Sequence, residues 1–359
     1  GSPQDLTDRV AGRIYQIRHI STDRRKVLSE ATKLNGVIDG VIQGSRVRLV
    51  LAEGAEPPSL DLLDAGDQSE MALTPPRFED AFMDLIGGGF KANSPFADRQ
   101  DAATHTVDKV VEANALTRRF GDFIAADDIS FDVGRGEIFG LIGPNGAGKS
   151  TTFKMLCGLL RPSAGSARVV GLDLQNAPSK ARGRIGYMAQ KFSLYGDLSV
   201  RQNLDFFAGV YGLRGQVRKA AIERMIDTFG LSDKLIVNAL SLPLGYKQRL
   251  ALACAVMHDP DVLFLDEPTS GVDPRTRREF WTHINAMVAN GVTIMVTTHF
   301  LDEAEYCDRI ALIYRSRMIA SGSPDDLKES ARAHGLEDPT LEDAFIALVE
   351  QSDREREAA

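Results

Sequence analysis

Cysteine is scarce in this chain: Cys157, Cys254 and Cys307 are the only three in 359 residues, and they stand far apart. With no C-x-x-C pair among them, their spacing points to neither a disulfide framework nor a thiolate metal site. Each lies among apolar neighbours and reads as a small core residue, which fits a reducing compartment. Long apolar runs are missing too, since none approaches the roughly 20 residues that cross a bilayer. The opening shows no signal-peptide pattern, and Gly1-Ser2 carries no weight in the reading. The polypeptide therefore reads as soluble, with any membrane role reached through a partner. An excess of basic charge is also lacking. The net charge of −8 argues against nucleic-acid binding through bulk charge and leaves room only for a local basic face. Apolar and charged contents of 43% and 26% are those of ordinary globular proteins, and the length suggests about two domains.

One stretch stands out, Gly143-Pro144-Asn145-Gly146-Ala147-Gly148-Lys149-Ser150-Thr151. An apolar run, Ile138 to Ile142, precedes it, and a helical pattern from Thr152 to Leu160 follows. Strand, glycine-rich loop and helix form the context that makes a G-x-x-x-x-G-K-[ST] match credible. Glycines let successive N–H groups point inward around phosphate oxygens, and the helix N-terminus adds donors and a positive dipole end. Lys149 is expected to reach the β- and γ-phosphates, and the Ser150 hydroxyl to hold magnesium. The chain should bind a nucleoside triphosphate.

A second signal is Asp261-Val262-Leu263-Phe264-Leu265-Asp266-Glu267-Pro268. Four apolar residues ending in two carboxylates suit a buried parallel strand with its acids at the carboxyl end, where such sheets bind ligands. Asp266 is expected to bind magnesium, directly or through water, and Glu267 to polarise the attacking water. Between the two signals, Arg184 to Gln190 reads as a short strand ending in glutamine. Helical periodicity runs through 191–244, notably Val200 to Tyr211 and Val217 to Phe229. After the acids come Ser270-Gly271-Val272-Asp273-Pro274, an amphipathic helix from Arg275 to Asn290, and a buried strand that ends in His299. That histidine lies where a γ-phosphate contact would be needed. Upstream, Val110 to Leu116 and Ile129 to Val133 read as strands, with the aromatic Phe120 between them.

The first 90 residues follow a different pattern. Residues 11–20 read as a strand, 22–33 as a helix, and 36–42 and 46–52 as two strands joined at Gln43-Gly44-Ser45, giving a small α+β module of β-α-β-β order. Residues 53–76, with four prolines, read as a loop, and 91–106 as a linker. The module's arginines read as a solvated face, because acids are mixed among them. Two echoes link the two ends of the chain. Glu79-Asp80-Ala81-Phe82 matches Glu342-Asp343-Ala344-Phe345, and Pro3-Gln4-Asp5-Leu6 matches Pro324-Asp325-Asp326-Leu327, in the same order. Residues 1–90 thus read as the tail of an earlier, similar ATPase unit with the module inserted in it.

Taken in order, these motifs make the chain similar to ABC-type ATPases, from residue 107 to about 350. Gly143–Thr151 resembles the Walker A loop, Val262–Glu267 the Walker B strand, Gln190 the Q-loop, Ser270–Asp273 the D-loop and His299 the switch histidine. The resemblance implies an α/β fold of the P-loop NTPase class, with a RecA-like core over 107–323. A helical subdomain at about 191–244 and a helical tail over 324–359 would complete it. It implies ATP and Mg2+ as cofactors, with Phe120 stacking on adenine and Gly143 to Thr152 around the phosphates. Ser150, Gln190 and Asp266 would lie at the metal, and Lys149, Gln190, Glu267 and His299 would carry catalysis. Two such domains would form a head-to-tail sandwich, each nucleotide lying between one Walker loop and the other domain's signature motif. Here the sequence departs from the family pattern L-S-G-G-Q. Leu242-Pro243-Leu244-Gly245-Tyr246 precedes Lys247-Gln248-Arg249. Proline lacks an N–H and a hydroxyl, and leucine crowds a backbone meant to approach phosphate. A composite site built on Pro243, Leu244 and Gly245, with Asp273 at the dimer contact, is expected to bind ATP and hydrolyse it slowly.

The apolar, aromatic segment Ser193–Val200 follows Gln190, in the region that receives a membrane subunit in transporters. The Ser-Gly-Val-Asp-Pro and Glu-Asp-Ala-Phe segments look like those of ATPases serving drug and multidrug exporters. The expected function is therefore the second ATPase of a tandem exporter subunit. It would lie at the inner face of the cell membrane and act on integral permease subunits. The alternative is a ribosome-associated ABC ATPase acting in translation, disfavoured by the balanced charge and the exporter-like tail.

Overall fold

A computed structural model of the chain describes residues 2–88, 96, 108–176, 178–191, 193–332 and 339–357. The expected linker 91–106 thus lies outside the described residues, Phe96 excepted. The chain divides into two compact units, Gly1–Ala97 with Val272–Ala289, and Asp98–Gly271 with Asn290–Ala359.

The first unit runs α1 (Pro3–Asp8), β1 (Ile14–Arg18), α2 (Arg24–Lys33), β2 (Val37–Gln43), β3 (Arg46–Leu51), α3 (Leu60–Leu63), β4 (Glu70–Leu73) and α4 (Phe78–Leu85). Its strands pair antiparallel in the order β2-β3-β1-β4. Alternate residues face opposite sides of such a sheet. One face buries Ile17, Val47 and Leu49 with Val27 and Ala31 of α2, and the other packs Ile14 and Val50 with Ala81 of α4. The expected β-α-β-β order is present as β1-α2-β2-β3. Residues 53–76 differ from the loop expected there, since they contain α3 and the edge strand β4. β4 spans four residues, neither fully buried nor alternating, and it is defined only by its pairing with β1, from Arg18 opposite Glu70 to Tyr15 opposite Leu73. No local pattern announces such a strand.

The rest of the chain begins with β5 (Lys109–Phe120), β6 (Phe123–Gly134), β7 (Ile138–Ile142), α5 (Lys149–Leu156), β8 (Ala164–Val169), β9 (Leu172–Asp173), α6 (Pro178–Arg182) and β10 (Ile185–Met188). Then come α7 (Val200–Val210), α8 (Gly215–Thr228), α9 (Leu244–Val256), β11 (Val262–Asp266) and α10 (Pro274–Ala289), the last belonging to the first unit. β12 (Thr293–Thr298), α11 (Leu301–Ala304), β13 (Arg309–Tyr314), β14 (Arg317–Gly322), α12 (Pro324–Arg332) and α13 (Leu341–Glu357) complete the order.

The second unit is built on a six-stranded sheet in the order β10-β11-β12-β7-β13-β14, parallel except for β14. An antiparallel sheet, β6-β5-β8-β9, accompanies it. Strands β7, β11 and β12 are buried at every position, as expected of a parallel sheet covered on both faces. All three cysteines are buried, and burial pushes the Cys157 and Cys254 thiols well up. No helix among the described residues is long and apolar enough to cross a membrane.

Both sequence echoes become helix pairs, α1 packed on α4 and α12 on α13. Ser2 and Asp5 cap α1 by exchanging bonds, Ser2 N to Asp5 Oδ2 at 2.6 Å and Asp5 N to Ser2 Oγ at 3.2 Å. Ser323 and Asp326 repeat the exchange at 3.0 and 3.1 Å. Asp80 and Asp343 each accept the N–H three residues back, at 2.7 and 2.8 Å, and Ala81 and Ala344 are buried. Ser2 thus caps α1 as Ser323 caps α12.

In the helical part, Tyr211 and His258 stack with centroids 3.5 Å apart, and His258 Nε2 lies 3.1 Å from the Ile185 carbonyl. Burial pushes the imidazole from 6.5 down to about 4. The fold therefore prefers neutral His258. Its contribution to stability is complete above pH 6.5 and is lost as pH falls towards 4, a linkage effect on the order of 3 kcal/mol. Urea unfolding across this window should show the loss, and His258→Gln, which keeps a donor for Ile185, should flatten it.

Candidate functional site

The parallel register gathers the site at the carboxyl ends of three neighbouring strands. Ile142 of β7 stands opposite Thr298 of β12, and Thr297 opposite Asp266 of β11. The loop 143–148 leaves β7 there, the position at which open α/β sheets bind ligands. A Cβ on Gly143 would lie 2.1 Å from the Ile313 carbonyl oxygen, and one on Gly148 would lie 2.3 Å from that of Ala125. Only glycine lets the loop lie flush against β13 and β6. Gly148, at φ +105, starts α5 at Lys149, three residues ahead of the helix expected from Thr152. The helix ends at Leu156, ahead of Leu160, because Gly158 turns at φ +67 and the Leu159 and Leu160 N–H groups close on the Lys154 carbonyl at 2.8 and 2.9 Å.

Lys149 is buried, and its Nζ donates to the Gly143 and Pro144 carbonyls at 2.7 and 3.1 Å. Burial lowers its pKa, opposed by the nearby carboxylates of Glu267 and Asp266. Ser150 Oγ donates to Asp266 Oδ1 at 3.0 Å, and Thr297 Oγ1 donates to the same oxygen at 2.6 Å. Pro144, Asn145 and Gly146 are exposed on the loop, Ala147 is buried, and Thr151 is half-buried. Thr152 lies deeper. Its hydroxyl donates to the Gly148 carbonyl at 3.0 Å, so it serves the helix start.

Glu267 follows Asp266 in the left-handed region at φ +48, a conformation that costs a non-glycine residue energy and gathers at functional sites. Its N–H donates to both the carbonyl (3.1 Å) and the hydroxyl (3.0 Å) of Thr297. Gln190 Nε2 donates to Glu267 Oε2 at 2.7 Å, and His299 Nδ1 lies 3.3 Å from that oxygen. The structure thus brings Lys149, Ser150, Asp266, Glu267, Gln190 and His299 together. Ser150, Asp266 and the Gln190 carbonyl offer oxygen donors of the kind a hard divalent cation takes. The glycine loop exposes Asn145 and Gly146, whose backbone can face an anion, so the residues present fit a magnesium nucleotide.

Phe120 stands at the tip of the β5–β6 hairpin, opposite Phe123, and both are about half-exposed. The Arg118 guanidinium covers the Phe120 ring at 4.5 Å. Strand β6 meets the phosphate loop at Ala125, two residues beyond Phe123.

Residues 126–270 match the family model described as ABC transporter. The chain is 39% identical to a Nod factor export ATP-binding protein I of Burkholderia lata over 250 residues, 68% of this chain and 82% of that protein. It belongs to the ATP-binding subunits of ABC transporters. A solved ATP-binding subunit of an ABC transporter superposes with a TM-score of 0.61 at 30% identity, covering 67% of this chain and 99% of that one. A probable multidrug ABC transporter ATP-binding protein of Escherichia coli (strain K12), YbhF, is 56% identical over 360 residues, 99% of this chain. The chain spans 62% of that relative's length.

The acids and the turn after them are supported by side chains that lie outside the motifs read from the sequence. Glu303 is buried, accepts from the Thr298 hydroxyl at 2.9 Å, and also bonds the Thr269 hydroxyl. It thereby ties the end of β12 to the turn after Glu267. Its sequence signal is an acid four residues after His299. Gln248 Nε2 donates to the Pro268 carbonyl at 3.0 Å, which carries α9 to the same turn. Pro243 occupies the cap position of α9 without a side-chain bond, with Leu244 exposed and Gly245 half-buried at the helix start. Asp273 accepts from the Thr276 N–H at 3.0 Å and hydroxyl at 2.7 Å. Burial would raise its carboxyl, but these donors outweigh it and hold it below the usual carboxylate range.

Proposed function

We propose that this chain supplies ATP binding and hydrolysis to an exporter, passing dimer closure and reopening to integral membrane permease subunits, with drugs or similar compounds as cargo. The observation that carries this is the Glu267 carboxylate, fixed at the end of β11 by Thr297 and Gln190 with His299 beside it. There it can take a proton from a water aimed at the γ-phosphate. Lys149 holds the β- and γ-phosphates, Phe120 stacks on the base, and Gly143 to Thr151 cradle the phosphates through backbone N–H groups. Ser150, Asp266 and Gln190 hold magnesium, which neutralises phosphate charge when bound. Pro243, Leu244, Gly245 and Asp273 face the nucleotide of a second ATPase domain, where the missing serine and glycine slow hydrolysis.

That second domain lies upstream in the longer protein. Residues 1–90 are its tail, followed by a linker at 91–106, the ATPase domain at 107–323 and a second tail at 324–359. The matched helix pairs α1/α4 and α12/α13 support this division, as does YbhF being longer than this chain. Names of relatives, a multidrug protein and a Nod factor export protein, support the direction of transport. The site of action is then the inner face of the cell membrane. Tagged full-length protein should copurify from detergent extracts with an integral membrane permease. Cosedimentation with ribosomes and no permease would overturn the reading.

A further inference from the structure

Helix α10 starts directly after Asp273, whose carboxylate caps its first turn through Thr276. One turn on, two arginines meet acids of the N-terminal module, within the same compact unit. Arg278 Nε donates to Asp39 Oδ2 of β2 at 2.9 Å, with the two side chains only 7% and 4% exposed. Arg278 Nη2 lies 3.6 Å from Glu79 of α4, and Arg277 Nη1 lies 3.9 Å from the same carboxylate. The Phe96 ring meets His283 of α10 edge-on at 6.1 Å. Burial pushes the Asp39 carboxyl up, with Arg278 only partly opposing it. Removing one partner would strand a buried charge. Acids from a strand and a helix therefore converge on consecutive arginines, which fixes α10 in direction as well as in place.

We infer that Asp39, Glu79, Arg277 and Arg278 are positioning residues for ATP hydrolysis. They clamp the N-terminal module to the helix that continues the Ser270–Asp273 loop, and so set where Asp273 stands. The inference rests on the proposed ATPase function. If residues 1–90 are the tail of an upstream unit, the tail of one ATPase holds the D-loop helix of the next.

The test uses the full-length protein and compares ATP affinity, melting temperature and turnover per ATP-binding site. Asp39→Leu combined with Arg278→Met replaces the ion pair with apolar groups, an exchange that usually preserves stability. The clamp predicts an unchanged melting temperature, a KM for ATP within about twofold and a kcat per site about tenfold lower, a loss typical of small misplacements. A purely structural pair predicts unchanged kcat in the folded double variant, and that result would overturn the inference. Glu79→Gln is a milder second variant at a half-buried position. It should lower kcat about threefold, and unchanged turnover there overturns the inference even if the double variant does not fold. Wild-type protein that binds but never hydrolyses ATP would instead refute the ATPase function.

Discussion

Glu267→Gln in the full-length protein should lower ATP turnover by about 100- to 1,000-fold while leaving ATP affinity within a few-fold of wild type. Glutamine is isosteric and can still accept the Gln190 amide through its carbonyl oxygen. The φ +48 backbone and its two bonds to Thr297 do not depend on the charge. On the proposed function, what disappears is the base that draws a proton from water. The loop that holds the phosphates is untouched, so nucleotide should accumulate in the closed state. Turnover assays beside equilibrium binding of ATP separate the two effects. Unchanged turnover would show that Glu267 is not the base, and lost binding would show that the carboxylate serves the phosphate cradle.

Asp80→Ala should destabilise the first unit by about 3 to 5 kcal/mol, far more than the matching change at Asp343. Both aspartates occupy the same place in the Glu-Asp-Ala-Phe echo and cap their helices alike. Asp80 has a second role. The Arg48 guanidinium meets it in two parallel bonds, at 3.1 and 2.6 Å, with side chains 4% and 2% exposed. Arg48 also donates to the Pro75 carbonyl at 2.6 Å. Without Asp80 a buried cation keeps only a carbonyl partner. Among the described residues, Asp343 accepts only from the N–H and hydroxyl of Thr340 near the surface, and water can replace it. Chemical unfolding of both variants checks the contrast, and equal losses would contradict it.

The phosphate loop and the acidic strand were legible because their chemistry is local. Glycines and a lysine must follow one strand, and carboxylates must end another, at fixed spacing. The supports of the acids were not legible. Thr297 reaches Asp266 only because β11 and β12 pair in one register, and Glu303 reaches Thr269 across 34 positions of chain. The helices of 191–244 were readable from periodicity, whereas β4, with two exposed and two half-buried residues, exists through its pairing alone. Helix α10 showed the same limit in reverse. Its amphipathic pattern gave no sign that Arg278 is buried, where Asp39, 239 positions earlier, meets it. The repeat was visible as two short echoes, but the serine caps that complete it, Ser2 and Ser323, emerge from backbone geometry.

On the proposed function, the loop Gly143–Thr151 is half of a shared site, with magnesium ligands, a base and a switch histidine on its own side and the signature contacts supplied by another domain. The most direct measurement is ATP turnover per bound nucleotide for residues 1–359 alone, at dilution, beside the full-length protein. The account predicts comparable Mg-ATP affinity in both, with turnover of the shorter chain lower by at least about tenfold. Equal turnover in the isolated chain, shown to be monomeric, would contradict it.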